Sequence, residues 1–364
     1  MREGWRADEG KCCERETDRR KGWCGMMKKK WIWMLLAAAM AALLVMSGCG
    51  GRHADRNKIT IDIGYENNPG EPLDQALNRW KDLVAEKSGG TMEIVLYPSS
   101  QLGSKNDIID MMISGQPVMT LADGAFYSDR GVKDFGIVFG PFLFKDWDEC
   151  WRLTNSDWYK EQEQKLAKKG LHIVVSNWVY GDRHLLTKKP VNKVEDLEGM
   201  KIRVPNNTIQ VKGFEVLGAV PTPMSLGDTY TALQQGTIDG VENPLPVLYN
   251  GKFQEVAKYL ILDGHVKNFT TWVCSEDFWK SLTPEQQAIL QESGEEAGVY
   301  NNALQKESEK EVLEKFRQEG VTIVDPSDEV LNGFRERAKA FYSLPDFKDW
   351  SEGLYDTVKA AMAS

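Results

Sequence analysis

The chain has 364 residues, with 45 basic and 54 acidic side chains and a formal charge of −9. Ten of the basic and six of the acidic residues precede Cys49, so the remainder carries −13. An acidic balance of that size argues against a nucleic-acid partner and against a polybasic membrane patch. It also makes any capture of an anion a local matter, working against the global field. The 316 residues from Cys49 onward are enough for two domains with a sizeable core.

Residues 1–25 are polar, mixed in charge and hold Cys12, Cys13 and Cys24, a composition that does not fit a leader. It points to a start at Met26 or Met27. Residues 26–48 do fit one: Lys28, Lys29 and Lys30 precede an apolar run from Trp31 to Met46, then Ser47, Gly48, Cys49 and Gly50. That is the order of a secretory signal, and the run is short for a membrane span, which needs about 20 apolar residues. Beyond Cys49 only Cys150 and Cys274 remain, a pair that could bridge. The histidines, His53, His172, His184 and His265, are scattered. No spacing suits a metal, and no cofactor is expected.

ITIDIGY, from residue 59, reads as a buried strand. Residues 72–87 put Leu73, Ala76, Leu77, Trp80 and Leu83 on one helical face, and the following SGG stops the helix. TMEIVLYP is a second strand, KNDIIDMMISG a short helix and PVMTLAD a third strand. PFLF and the aromatic-rich DWDECWRLTNSDWY follow, then LHIVVSNWVYGDRHLL, a strand that enters a second unit near Gly181. KIRV is a short β-like run, VPTPM a turn after a helical stretch, and IDGVENP a turn closing an amphipathic helix. From Thr283 the tail reads as almost wholly helical, with Thr283 as N-cap, Pro284 at the first helical position and Gln286 completing a capping box. This alternation of strand and helix is the signature of α/β sheets.

The chemistry concentrates in residues 199–246. Arg203 ends KIRV and can grip an anion in a fixed two-pronged geometry. Asn206 and Asn243 both donate and accept hydrogen bonds. Together they describe a carboxylate site finished with neutral polar groups. Taken singly, Arg203 could be a surface arginine and Asn243 a turn former.

RVPN, PTPM, YTALQ and DG-x-ENP in this order resemble the solute-binding protein of a tripartite ATP-independent periplasmic (TRAP) transporter. YPSSQLG at 97–103, PFLF at 141–144 and G-x-R at 181–183 extend the resemblance from about Lys58 to the last helices. MSGC resembles a bacterial lipoprotein box, which implies cleavage before Cys49 and lipid on its sulfur; the alternative is an ordinary cleaved signal. The family resemblance implies a non-enzymatic receptor that is lipid-anchored at the outer face of the cytoplasmic membrane and serves a TRAP permease. It implies an α/β, two-domain periplasmic-binding-protein-like fold with a hinge, a ligand cleft between the domains and a long C-terminal helical region. The domains would be 57–180 plus 269–336 and 181–268 plus 337–364, with hinges at Val179–Gly181 and Val266–Thr270.

Carried over residue by residue, Arg203 is the main carboxylate clamp, Arg183 the second arginine near the acid group, and Asn243 and Asn206 polar partners. Glu66, closing the first strand, Asp123, after the third, and Lys105 are implied to face solute. Sialic-acid binders share YPSSQLG and the 40-residue spacing from Arg203 to Asn243, yet they resemble this chain neither at Glu66, where they carry Asn, nor at Leu226, where they place an aromatic. Ionised Glu66 and Asp123 would accept from hydroxyls and repel a second carboxylate unless Lys105 pairs with it. The site therefore suits a polyhydroxylated monocarboxylate, an aldonate, uronate or keto-sugar acid. Trp178 offers either an apolar face for a sugar ring or plain core packing. The other readings are a C4-dicarboxylate carrier on the same fold, an exported carbohydrate-active enzyme using Glu66 and Asp123 as acid and base, and a sensory module.

Overall fold

The structure, a computed structural model, describes residues 58–363. The leader, Cys49 and His53 lie outside the described residues. Nine strands form one sheet: β1 (Ile59–Gly64), β2 (Met92–Tyr97), β3 (Val118–Ala122), β4 (Leu171–Thr187), β5 (Lys201–Val204), β6 (Val220–Pro223), β7 (Gly240–Pro244), β8 (Tyr259–Ser275) and β9 (Thr322–Val324). Their order is β2-β1-β3-β8-β4-β7-β5-β6, with β9 added beside β8. The sheet has two similar halves. β1 runs parallel to β2 and β3 in the first lobe, and β5 runs parallel to β6 and β7 in the second. The 17-residue strands β4 and β8 run antiparallel to each other and join the two lobes.

The helices follow the strands: α1 (Pro72–Lys87), α2 (Lys105–Ile113), α3 (Gly124–Asp129), α4 (Trp147–Thr154), α5 (Asp157–Ala167), α6 (Thr208–Leu217), α7 (Thr229–Gln235), α8 (Leu245–Asn250), α9 (Glu276–Ser281), α10 (Pro284–Gln318), α11 (Asp328–Ala338) and α12 (Leu354–Ala363). α1 buries the face read from its periodicity, Leu73, Ala76, Leu77, Trp80 and Leu83, together with Val84. α10 starts on the expected capping box, with Thr283 Oγ1 accepting from Gln286 N–H.

Two stretches read as turns are strands. VPTP, the first four residues of VPTPM, forms β6, whose Thr222 pairs with Arg203 of β5. Its prolines are tolerated because β6 is the sheet edge and need not donate on its outer side. GVENP forms β7, buried throughout between β4 and β5. Pairing on both sides overrides its turn-like composition. The tail is not wholly helical, since β9 pairs parallel with β8. The last helices also pack differently from the boundaries read in the sequence. Phe334 and Ala338 of α11 join the second-lobe core with Ile202 and Phe214, while Leu354, Val358 and Met362 of α12 join Phe126 and Cys150 in the first lobe. Cys150 and Cys274 are both buried and unpaired.

Between the lobes β4 is bulged, with register shifts against β8 at Val179/Gly181 and Arg183/Leu185. Gly181 has φ +132°, and a Cβ there would stand 2.7 Å from Pro244 Cβ. The bulge frees backbone groups that α10 satisfies. Asn301 Nδ2 donates to Val179 O at 2.7 Å, Asn302 Oδ1 accepts from Val179 N–H at 2.7 Å, and Gln305 Nε2 donates to Tyr180 O at 2.7 Å. A row of amides on one helix thus ties the long helix to the crossing strand.

Candidate functional site

Glu66 and Asp123 lie just past the carboxyl ends of β1 and β3, and Arg203 and Asn243 stand at the ends of β5 and β7. Open α/β sheets bind ligands at the carboxyl ends of their strands, and here two such ends face each other. They enclose a small chamber of about 20 Å³ lined by Glu66, Lys105, Asp123, Arg183, Arg203, Leu226 and Asn243. Seven of the nine residues expected to bind solute are therefore together. Asn206 is exposed and lines an adjoining chamber of about 50 Å³ with Lys105 and Arg203.

Trp178 does not face the cleft. Its ring packs against Trp80 and Trp272, and its indole N–H donates to Gly294 O at 2.9 Å. The core reading of this residue is the correct one: an aromatic cluster under α10 offered it full burial and a partner for its one polar atom.

Arg203 is 2% exposed, and Nε and Nη2 donate to Met224 O at 3.1 and 2.8 Å. No carboxylate among the described residues pairs with it. Burial lowers its pKa, and the nearby charges of Glu66 and Glu242 oppose that shift. Arg183 differs. Its Nε and Nη2 grip Glu242 at 2.5 and 2.7 Å, and Nη1 donates to Asn268 Oδ1 at 3.0 Å. Its charge is already matched inside the protein, so it borders the chamber while Arg203 is the arginine left to find an anion.

Glu242 also contacts His265 Nε2 at 3.2 Å, and His265 Nδ1 reaches Asp263 at 2.9 Å. Burial alone would raise the Glu242 pKa, but Arg183 and His265 hold it down at about 2. Burial likewise opposes charge on His265, and Asp263 and Glu242 overcome it, raising the imidazolium to about 9. The result is a buried chain of alternating charge behind the chamber.

Asp123 caps α3, its Oδ1 accepting from Ala125 N–H at 3.0 Å. Burial raises its pKa, against the pull of Lys105. Burial lowers the Lys105 pKa, against Glu66 and Asp123, and its Nζ sits 4.7 Å from the Phe126 ring centroid. Asn243 Oδ1 is buried with no hydrogen-bond partner among the described residues. Asn243 is one of the residues that line the chamber.

Hydrogen bonds cross the cleft. Glu66 accepts from Leu226 N–H at 3.3 Å, Asn106 Nδ2 donates to Asn206 O at 3.0 Å, Asp129 accepts from Thr208 N–H at 2.9 Å, and Asn68 Nδ2 donates to Asn250 O at 3.3 Å. The lobes are closed on each other.

Residues 63–346 match the bacterial extracellular solute-binding proteins, family 7. The chain belongs to that family. A TRAP periplasmic solute-binding protein from Ochrobacterium anthropi, solved with bound L-fuconate, is 44% identical, with a TM-score of 0.80 covering 84% of this chain and 99% of that one. One from Actinobacillus succinogenes 130Z, with bound L-galactonate, is 41% identical at a TM-score of 0.79, covering 84% and 99%. The 2,3-diketo-L-gulonate-binding periplasmic protein of Escherichia coli is 30% identical over 285 residues, 74% of this chain and 82% of its own length. The fold of this family member is thus the two-domain fold of TRAP periplasmic solute-binding proteins.

Sequence reasoning missed several lining residues: Phe126, Tyr180, Gln210, Asn268 and Thr270. Tyr180 and Phe126 sit one residue before the G-x-R motif and three after Asp123, signals that adjacency offered. Glu242 lies inside the ENP motif, but a buried acid beside a carboxylate site runs against first expectation. His265 carried no sequence signal, because β8 brings it to Glu242 from 23 residues away. Among the described residues no helix is long and apolar enough to cross a membrane, and no group of side chains could hold a metal ion.

Proposed function

We propose that this protein captures a polyhydroxylated monocarboxylate, a sugar acid of the aldonate, uronate or keto-sugar acid type, and delivers it to a TRAP permease. The observation that carries the reading is Arg203, a buried guanidinium with no carboxylate partner among the described residues. Burying a charge without a counter-ion is costly, and a solute carboxylate supplies one. Glu66 and Asp123 opposite provide acceptors for hydroxyls, and Asn243 adds an amide. Two similar structures hold L-fuconate and L-galactonate, both of this class. A C4-dicarboxylate is the second reading, with Lys105 on its far carboxylate; the two acidic residues at that end work against it.

Thermal-shift screening of the purified protein against hexonates, uronates and C4-dicarboxylates, followed by calorimetry, tests the reading. Sugar acids should raise the unfolding temperature and dicarboxylates should not. Stabilisation by dicarboxylates alone would overturn the choice. The finer proposals are that lipid on Cys49 holds the protein at the outer face of the cytoplasmic membrane, and that Val179–Gly181 and Val266–Thr270 act as hinges. Cys49→Ser should release soluble protein, and small-angle scattering should show compaction on adding solute.

A further inference from the structure

Beside the inner chamber lies a much larger cavity of about 620 Å³, bounded by Glu66, Asn68 and Ser99 on one lobe and by Leu226, Tyr230 and Lys252 on the other. Ligand pockets commonly enclose roughly 300–1,000 Å³, so this space is of binding-site size, whereas the carboxylate chamber holds about 20 Å³. The two spaces share Glu66 and Leu226. These two shared residues are joined by a long hydrogen bond from Leu226 N–H to Glu66 Oε1, 3.3 Å.

The cavity is built from unusual backbone. Of the four described non-glycine residues with left-handed φ, three line it: Ser99 at 52°, Ser100 at 61° and Lys252 at 58°. Strain of this kind clusters at ligand clamps, where surrounding structure holds it. Here it is held on both lobes, with Lys252 N–H donating to Tyr249 O at 2.9 Å on the second. Ser99 and Ser100 N–H donate to Asn67 O and Tyr65 O at 2.9 and 3.0 Å, and Ser99 Oγ donates to Asn68 Oδ1 at 3.0 Å.

The lining combines an apolar floor, Val247 and Phe253, with the Tyr230 ring, whose hydroxyl donates to Glu255 at 2.7 Å. An aromatic ring over apolar residues, edged with acceptors and amides, fits the C–H face and hydroxyls of a pyranose. Glu66 and Glu255 face it against Lys252, so a second carboxylate finds no net positive field there.

We propose that this cavity is a second sugar subsite and that the solute class extends to two-unit sugar acids such as glycosyl aldonates. This rests on the sugar-acid reading above. The carboxylate sits on Arg203 at the inner chamber, whose about 20 Å³ holds little more than that group; the open-chain unit runs past Glu66 into the larger cavity, and the neutral ring lies beyond it against Tyr230. Glu66, freed from Leu226 N–H, accepts hydroxyls from both units.

The test is calorimetric titration with hexonates and with their 4-O-glycosyl derivatives. Wild type should bind a glycosyl hexonate within about tenfold of the parent hexonate or more tightly. Gly227 lines the cavity, and a Cβ there would meet nothing within 4 Å. Gly227→Trp plugs the space, and should weaken the glycosyl hexonate by at least about tenfold while leaving the hexonate within about twofold. Tight hexonate binding with exclusion of every glycosyl derivative overturns the proposal, as does a plug that changes neither affinity. Binding of neither class removes the sugar-acid reading itself, and the subsite with it.

Discussion

Arg203→Lys isolates the geometry of the clamp from its charge. A guanidinium has five N–H donors, and two of these go to Met224 O, leaving three N–H groups, on Nη1 and Nη2, for the chamber. That is the edge that grips a carboxylate through two parallel bonds. A lysine keeps the charge, but its point-like ammonium replaces a fork already anchored at one end. Truncating one partner of a buried, hydrogen-bonded charge pair costs about 2–5 kcal/mol. At about 1.4 kcal/mol per tenfold that is about 30-fold to about 4,000-fold in affinity. The assay is calorimetric titration with the best sugar acid from the screen, beside thermal unfolding of the free protein. Arg203 holds no ion pair with the described residues, so the free variant should unfold close to wild type. Near-wild-type affinity with normal unfolding would refute the assignment of Arg203 as the clamp.

The other expected outcomes concern the frame around the clamp. Glu242→Gln strands Arg183 without its carboxylate and should lower stability by about 3–5 kcal/mol in urea unfolding, as breaking buried pairs does; a loss under about 1 kcal/mol would contradict the buried-pair account. His265 has its folded pKa raised to about 9 from an ordinary 6.5, so its contribution is complete below pH 6.5 and is lost as pH rises through 9. The urea midpoint should fall across that window, and His265→Gln should flatten the fall. Burial pushes Glu71, Glu163 and Glu309 up to about 7, so their stabilising protons are lost between pH 4.5 and 7, a window that lies mostly below that of His265 and overlaps it only near its start. Trp178→Phe should cost about 1–3 kcal/mol through lost ring area and the lost bond to Gly294 O, with an unchanged rank order of solutes; an altered solute preference would return Trp178 to the cleft.

Where local pattern and tertiary pairing agreed, the chain was legible. α1 shows its buried stripe in the spacing of Leu73, Ala76, Leu77, Trp80 and Leu83, and the α10 cap in Thr283, Pro284 and Gln286. Where they conflict, pairing wins: the prolines of β6 and the Asn-Pro of β7 carry turn chemistry, yet parallel neighbours hold both as strands. Arg203 and Asn243 were legible because one motif string holds both. The pairing of Arg183 with Glu242 was not, since β4 and β7 bring together residues 59 apart. Trp178 shows the same limit. Strand alternation cannot place a side chain across a bulge, and the register of β4 shifts on both sides of Trp178 and Val179.

The closed cleft carries its own energetic imbalance. Its lobes are held across the opening by four hydrogen bonds involving Glu66, Asn68, Asn106 and Asp129, each contributing about 0.5–1.5 kcal/mol net at best. Against them stands Arg203, a charge removed from water with no counter-ion among the described residues, at a cost of several kcal/mol. Apolar packing of Ala125 and Phe139 on the first lobe against Ile209 on the second adds to the hydrogen bonds. A solute shifts that balance only through its differential affinity for the closed form. A carboxylate supplies the missing counter-ion in that form alone, because only closure brings Arg203 against Glu66, Lys105 and Asp123 from the opposite lobe. A neutral sugar of the same shape leaves the arginine unmatched, and so shifts the equilibrium less. Selectivity for acids then arises from the work of closing the cleft as much as from contact with the carboxylate itself.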